Sequence, residues 1–411
     1  MENNSLTSNI DRLYSGSKNF LLIGLTGYTK SGCHEFSECL QSEESPFFDL
    51  EQSEYAGLEQ KKFDIANRFM SKNWQGFDVI KVSHVITALM LNMREDIVSK
   101  IISDTAVFMS EEMVSKITSD SEVLEFKEGD VKIENQVEEM KCIISDVTSE
   151  LRNVGKVNSA NKCFKILTKY LLIDFGRKVN GCSINEKKIL IELFNDKTEA
   201  SKIDGIFFAI KEINESLKDK MNKVKRGSYN VFLQIMGSFV RKGIELNVYG
   251  RASTTNIHTV PKIINKLIKI YRIQNDSIGD KKYCRILIEN IRNSHEIDYF
   301  RERYSAFYVV SINRDEQSRI LEQKKYKLGL VVDKLESGKF PRFSEHSDTG
   351  LFIYSGKAED IQAKEFWLPN IANCLQKTDI HLFDDQTSKN KNNLKAQATW
   401  YLALMLHPGL F

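Results

Sequence analysis

The chain has 411 residues, with 58 Lys and Arg against 56 Asp and Glu, 41% apolar residues and 28% charged ones. That length allows one large or two ordinary domains with a sizeable core, and the near-cancelling charge excludes a bulk positive field for duplex nucleic acid or a membrane surface, leaving room only for a local basic patch. Seven scattered cysteines without a C-x-x-C spacing exclude a disulfide framework and point to reduced thiols in a cytoplasmic protein. The polar start M-E-N-N-S-L-T-S-N carries no signal peptide pattern, and apolar runs such as Trp400–Leu406 are too short to span a bilayer, so no membrane partner is expected.

In chain order, the short apolar run Phe20–Ile23 followed by Gly predicts a buried parallel strand. Next comes G-Y-T-K-S-G-C-H, residues 27–34, which has the glycine spacing of the phosphate-binding pattern G-x-x-x-x-G-K-[ST]. Cys33 stands where that pattern wants Lys, and His34 where it wants Ser or Thr. A helix is predicted over Cys33–Leu40 and a second strand over Phe77–Val82. From 91 to 226 charged helical periodicity dominates, which predicts a helical insertion; a set of solvated amphipathic helices without chemistry is the plain alternative. Strand runs return at Arg285–Ile288 and Phe307–Ile312, separated by the helical pattern H-E-I-D-Y-F-R-E-R, and at Ile380–Phe383 after a helix around Leu368–Leu375. Strands alternating with helices predict an α/β fold with a parallel sheet and helices on both faces. Residues 388–395, S-K-N-K-N-N-L-K, read as a solvated loop.

Four groups of residues bear on chemistry. Gly27 and Gly32 let backbone N–H groups converge on an anion, and the positive end of the helix beginning at Cys33 adds to that field. Lys30 and Ser31 lie within the same loop. Cys33 supplies neither a cation nor an Mg²⁺ ligand, and His34 is a poor one because that ion takes oxygen, so Mg²⁺ is not expected; a strand, turn and helix with no phosphate remains the alternative. Glu289 and Arg292 follow the strand Arg285–Ile288, where a carboxylate serves as a metal ligand or base and an arginine clamps phosphate; ion pairing with Arg301 or Arg303 is the alternative. Gln234, Gly237 and Arg241 share one helix face at spacings of three and four, suited either to a base and a phosphate or to helix packing. Arg314 and Arg319 follow the strand Phe307–Ile312, facing a phosphate or opening a solvated helix.

The segments G-L-T-G-Y-T-K-S-G-C-H, R-I-L-I-E-N-I-R-N-S-H-E-I-D-Y-F-R-E-R-Y-S-A-F-Y-V-V-S-I, N-I-A-N-C-L-Q-K-T-D-I-H-L-F and Y-L-A-L-M-L-H-P-G-L together resemble the N-terminal part of the anti-phage deoxycytidylate deaminase family, over about 20–90 and 228–411. The resemblance implies a P-loop nucleoside-monophosphate-kinase-like core at 15–90 and 227–411 around the 91–226 insertion, a nucleotide ligand, a zinc deaminase domain or separate deaminase subunit as effector, and for some members a small regulatory RNA. The family often has Cys at the position of Cys33, whereas His34 and Glu35 depart from it, and Glu289 replaces the aspartate usual in related nucleotide kinases. The H-x-E and P-C-x-x-C pattern of zinc deaminases is absent, so neither zinc nor deamination is expected of this chain. W-Y-L-A-L-M-L-H-P-G-L-F ends on an apolar run, from which a cut within a structured region is expected.

The leading expectation is therefore a nucleotide-binding, kinase-like module that senses or positions nucleotides, regulates a deaminase in anti-phage defence and forms a homo-oligomer. An active nucleoside-monophosphate kinase using Lys30, Arg292, Arg314 and Glu289 is one alternative. A scaffold that binds RNA or protein through the 91–226 insertion, with Lys218–Arg226 as its basic stretch, is the other.

Overall fold

A computed structural model describes residues 20–45, 57–90, 95–110, 137–146, 197–241, 258–278, 283–324, 329–337, 367–384 and 393–406, with isolated positions at 93, 123–124, 135 and 342–343. The loop expected at 388–395 lies for the most part outside these residues, as do the chain's first nineteen and last five. The chain divides into two compact units, one of residues 1–81, 271–319 and 371–411 and the other of 82–270 and 320–370.

The first unit contains a five-stranded, wholly parallel sheet. Its strands are β1 (Phe20–Thr26), β2 (Asp78–Lys81), β3 (Cys284–Glu289), β4 (Phe307–Asn313) and β5 (Ile380–Phe383). They lie in the order β2-β3-β1-β4-β5, with Leu22 opposite Ile286 on one side and Phe307 on the other. The α/β class expected from the alternation of runs is the observed one. Boundaries moved by a residue or two. β3 runs on through Glu289, whose carboxylate therefore sits in the strand's last position, and Val82 opens a helix instead of closing β2.

Side chains alternate across a strand, and the apolar positions of β1 use both faces. Leu21, Ile23 and Leu25 join Leu287, Val310, Ile312 and Leu382 in one core cluster. Helices α1 (Cys33–Gln41), α2 (Gly57–Asn73) and α12 (Asn393–Leu406) cover it with Phe36, Leu40, Ala66, Met70 and Leu402. Each fully buried Leu or Ile there contributes about 2 kcal/mol. On the opposite face, Phe300 of α8 (Ser294–Arg301) meets Phe307 with ring centroids 5.6 Å apart. Gly24 lies beneath them because a Cβ there would come within 2.6 Å of Ile291 Cδ1. The short helix α11 (Ile371–Gln376) packs on α8 and β1.

The second unit is mainly helical among the described residues. It holds α3 (Val82–Met90), α4 (Glu95–Met109), α5 (Lys197–Val224), α6 (Ser228–Arg241), most of α7 (Thr259–Ile278), the C-terminal part of α9 (Glu316–Lys324) and α10 (Gly329–Glu336). α6 is its centre and packs on α3, α4, α5 and α10. Two short segments, Val123–Leu124 and Arg342–Phe343, pair in parallel. The helical character expected for 91–226 is present in α4 and α5, and much of the stretch between them is outside the described residues. No described helix is long and apolar enough to cross a membrane.

Candidate functional site

β1 delivers the chain at its carboxyl end into the loop Gly27–Gly32, and α1 begins at Cys33. Gly27 is required by space: a Cβ would lie 2.6 Å from the Ile312 carbonyl oxygen and from Ser31 Oγ, and 2.9 Å from Cys33 Sγ. The Ser31 N–H closes a turn onto the Tyr28 carbonyl at 3.0 Å. Lys30 has φ 70 and Gly32 φ 100, both left-handed. A non-glycine residue held there costs of order 1 kcal/mol, and such positions cluster in ligand loops. Left-handed residues interleaved with right-handed ones turn successive N–H groups toward one concavity, an arrangement that receives anions. Gly32 caps α1 without a side-chain hydrogen bond, which leaves the helix's first N–H groups to solvent or ligand.

The other walls come from the ends of the neighbouring strands. Thr26 Oγ1 donates to the Ile291 carbonyl at 2.8 Å, and the Ile291 N–H to the Leu25 carbonyl at 2.8 Å, so the segment after β3 is tied to the loop's base. Arg292 Nη2 lies 3.4 Å from Thr29 Oγ1. The Arg319 guanidinium, 6% exposed, lies 4.6 Å over the Tyr28 ring and braces the loop from behind. Arg314 Nε donates to Asp384 Oδ2 at 3.1 Å and Arg314 Nη2 donates to the same oxygen. That carboxylate lies 3.0 Å from where a Gly32 Cβ would be. Lys30 is exposed and Ser31 buried.

Cys33 points inward, its Sγ 3.4 Å from both the Thr26 carbonyl and Ser31 Oγ. Burial pushes its thiol up to about 11, so it is neutral and adds no charge to the loop. His34 Nδ1 lies 3.2 Å from Glu289 Oε1, and its Nε2 3.5 Å from Glu38. The hydrogen bond with Glu289 raises the His34 pKa above 6.5 despite burial. For Glu289, burial works to raise the carboxyl, but the hydrogen bond from His34 and the Lys81 charge outweigh it and hold the group below 4.5. Lys81 Nζ is 3.5 Å from Glu289 Oε2 and 3.5 Å from His34 Nδ1. Magnesium does not fit this set. The position that should offer a hydroxyl offers a ring nitrogen; Glu289 Oε1 is taken by His34, and Oε2, which makes no hydrogen bond, has the Lys81 ammonium 3.5 Å away. Among the described residues no group of three or more His, Cys, Asp or Glu is placed to hold a metal ion.

The structure thus brings Gly27, Lys30, Ser31, Gly32, Cys33, His34, Glu289, Arg292, Arg314 and Arg319 together in the first unit. Gln234 and Arg241 belong to the second. There Gln234 Nε2 donates to Glu336 Oε1 at 3.3 Å, and Gln234 and Arg241 are both buried. Gly237 makes room within α6: a Cβ would meet Arg241 Nη1 at 2.9 Å and Ile86 Cδ1 at 3.1 Å. Arg301 and Arg303, the alternative ion-pair partners for Glu289, are engaged elsewhere. Arg301 bonds Asp379 Oδ1 at 2.6 Å, and Arg303 stacks over Tyr299 at 3.6 Å. Sequence reasoning missed Lys81 and Asp384. Asp384 directly follows a run read as a strand, the same signal that picked out Glu289, whereas Lys81 lay one residue inside the end of such a run.

Comparison with known proteins gives little beyond this geometry. No family model and no solved structure matches the chain. Glucose-1-phosphate thymidylyltransferases from two strains of Xanthomonas campestris pv. campestris are each 29% identical over 130 residues, covering 28% of this chain and 43% of the relative. The chain therefore matches less than half the length of these relatives.

Proposed function

We propose that the β1–α1 loop binds the phosphate of a nucleotide and holds it without rapid turnover, so that the first unit acts as a P-loop, kinase-like nucleotide sensor. The observation that carries this reading is the loop's backbone, left-handed at Lys30 and Gly32 and set between a parallel strand and a helix start. The strand order adds support. β2 and β3 lie on one side of β1, β4 and β5 on the other, so the chain reverses direction across the sheet beside β1. Ligands of open parallel sheets bind at that switch point, outside the carboxyl ends of the strands.

The chemistry of the loop opposes turnover. Phosphoryl transfer rests on positioned positive charge and a metal held by a hydroxyl. Cys33 is a neutral buried thiol, His34 is engaged with Glu289, and Arg314 is engaged with Asp384. The loop's backbone N–H groups, with the cations of Lys30 in the loop and Arg292 against Thr29, supply the field that binds and orients an anion. The family resemblance extends the proposal: the liganded state would regulate a cytosine-nucleotide deaminase, fused or separate, in anti-phage defence. The partial match to thymidylyltransferases adds thymidine nucleotides to the ligands worth titrating.

The test is calorimetric titration of the purified chain with deoxynucleoside mono- and triphosphates, paired with an assay for phosphoryl transfer from ATP. Saturable binding with no transfer is expected. Rapid transfer to any acceptor overturns the sensor reading, and absence of binding by folded protein overturns the loop as a site.

A further inference from the structure

The group that stands in the way of Mg²⁺ at this site is itself a cation, and its position is fixed by the sheet. Lys81 closes β2 directly opposite Glu289, which closes β3. Parallel pairing therefore places both side chains at the same end of adjacent strands. The Lys81 side chain is only 21% exposed, and its ammonium lies 3.5 Å from Glu289 Oε2. It is also 3.5 Å from Nδ1 of His34, the second residue of the helix whose N-terminus forms the loop's rim. We propose that Lys81 is the resident cation of this site, so that the ligand it takes is a phosphate ester carrying no metal ion, such as a nucleoside monophosphate, in preference to a magnesium-chelated triphosphate. This rests on the loop being a phosphate site.

Magnesium keeps several waters in a near-octahedral shell and binds through carboxylate oxygens turned toward it. Here Glu289 Oε1 meets His34, and Oε2 pairs with the Lys81 ammonium 3.5 Å away without a hydrogen bond. A divalent ion would have to expel an ammonium from a carboxylate that is almost wholly buried. An ammonium, by contrast, is a point charge that meets a phosphate oxygen directly. Glu289 fixes the lysine's position, and His34 occupies the side from which a hydroxyl would otherwise recruit metal. The loop's lost lysine at position 33 is thus replaced from a different strand.

The test uses the full chain and inorganic phosphate, which magnesium chelates only weakly, titrated in EDTA and again with magnesium chloride. The wild-type dissociation constant is expected to agree within about twofold between the two buffers. Lys81→Met should weaken binding in EDTA by about tenfold or more, and Lys81→Arg should stay within about threefold of wild type, since it keeps the charge. Circular dichroism and a melting curve on each variant separate lost binding from lost fold. Wild-type binding that requires magnesium, or Lys81→Met binding in EDTA as wild type does, overturns this inference and leaves the loop standing as a phosphate site. No wild-type binding in either buffer overturns the loop reading, and this inference falls with it.

Discussion

The β1–α1 loop and the inner face of α6 hold the same kinds of residue and use them in opposite ways. Each has a glycine that clears space and an arginine or lysine close by. In the loop, the glycine positions leave backbone N–H groups at a helix start, Lys30 is exposed, and Lys81 and Glu289 stand at the ends of adjacent strands. In α6, Gly237 clears space for the chain's own Arg241, and Gln234 donates to a fully buried Glu336. At the strand ends the polar groups stand beside the loop, whereas on the helix face Gln234 is bonded to Glu336 and Arg241 is buried.

Substitutions should separate the two cases. The largest effect is expected at Gly27→Val. The new side chain meets a backbone carbonyl that cannot swing away, so the cost is about 3 kcal/mol of stability, together with loss of phosphate binding, read by melting curve and titration. Next comes Gln234→Leu. It strips Glu336 of a donor inside the second unit and should cost about 2 kcal/mol with ligand affinity unchanged. A large loss of affinity would return α6 to the binding site. Cys33→Ala should cost about 1 kcal/mol and shift affinity by no more than about threefold, far less than Gly32→Arg, which places bulk at a left-handed position beside Asp384. Equal, large losses from both would give the Cys33 thiol a role in binding.

The smallest effect concerns pH. The His34 pKa is raised, so its share of stability is complete below 6.5 and is lost as pH rises through the raised value. Glu289 is lowered, so its share is complete above 4.5 and is lost as pH falls through the lowered value. The difference in melting temperature between wild type and His34→Ala should be largest between pH 4.5 and 6.5 and fade as pH rises through the raised His34 value. Solvent screening keeps the corresponding stability difference below ~1 kcal/mol, since the His34 side chain is half exposed. A pH-independent difference would mean that His34 acts through packing alone.

These contrasts also mark what the sequence could disclose. The five strands were legible because each is a short apolar run bounded by Gly, a charged residue or a helical pattern, and β1, β3 and β4 are buried on both faces. The loop was legible from two glycines at a fixed spacing. Gln234 and Arg241 could not be assigned, because a spacing of three and four marks one helix face without saying whether that face meets ligand or another helix. Lys81 lay one residue inside the strand run 77–82 and Asp384 just after the run 380–383, and linking them to Glu289 and Gly32 required the strand order, which no local pattern contains.

The central claim is that the backbone of residues 27–33 receives a phosphate, and amide chemical shifts test it most directly. The chain has 21 glycines, few enough to resolve after labelling with ¹⁵N-glycine. On titration with a deoxynucleoside monophosphate, the account predicts saturable shifts at Gly27 and Gly32, with the glycines of the second unit unmoved. Binding that leaves Gly27 and Gly32 unperturbed while shifting Gly237 would contradict it.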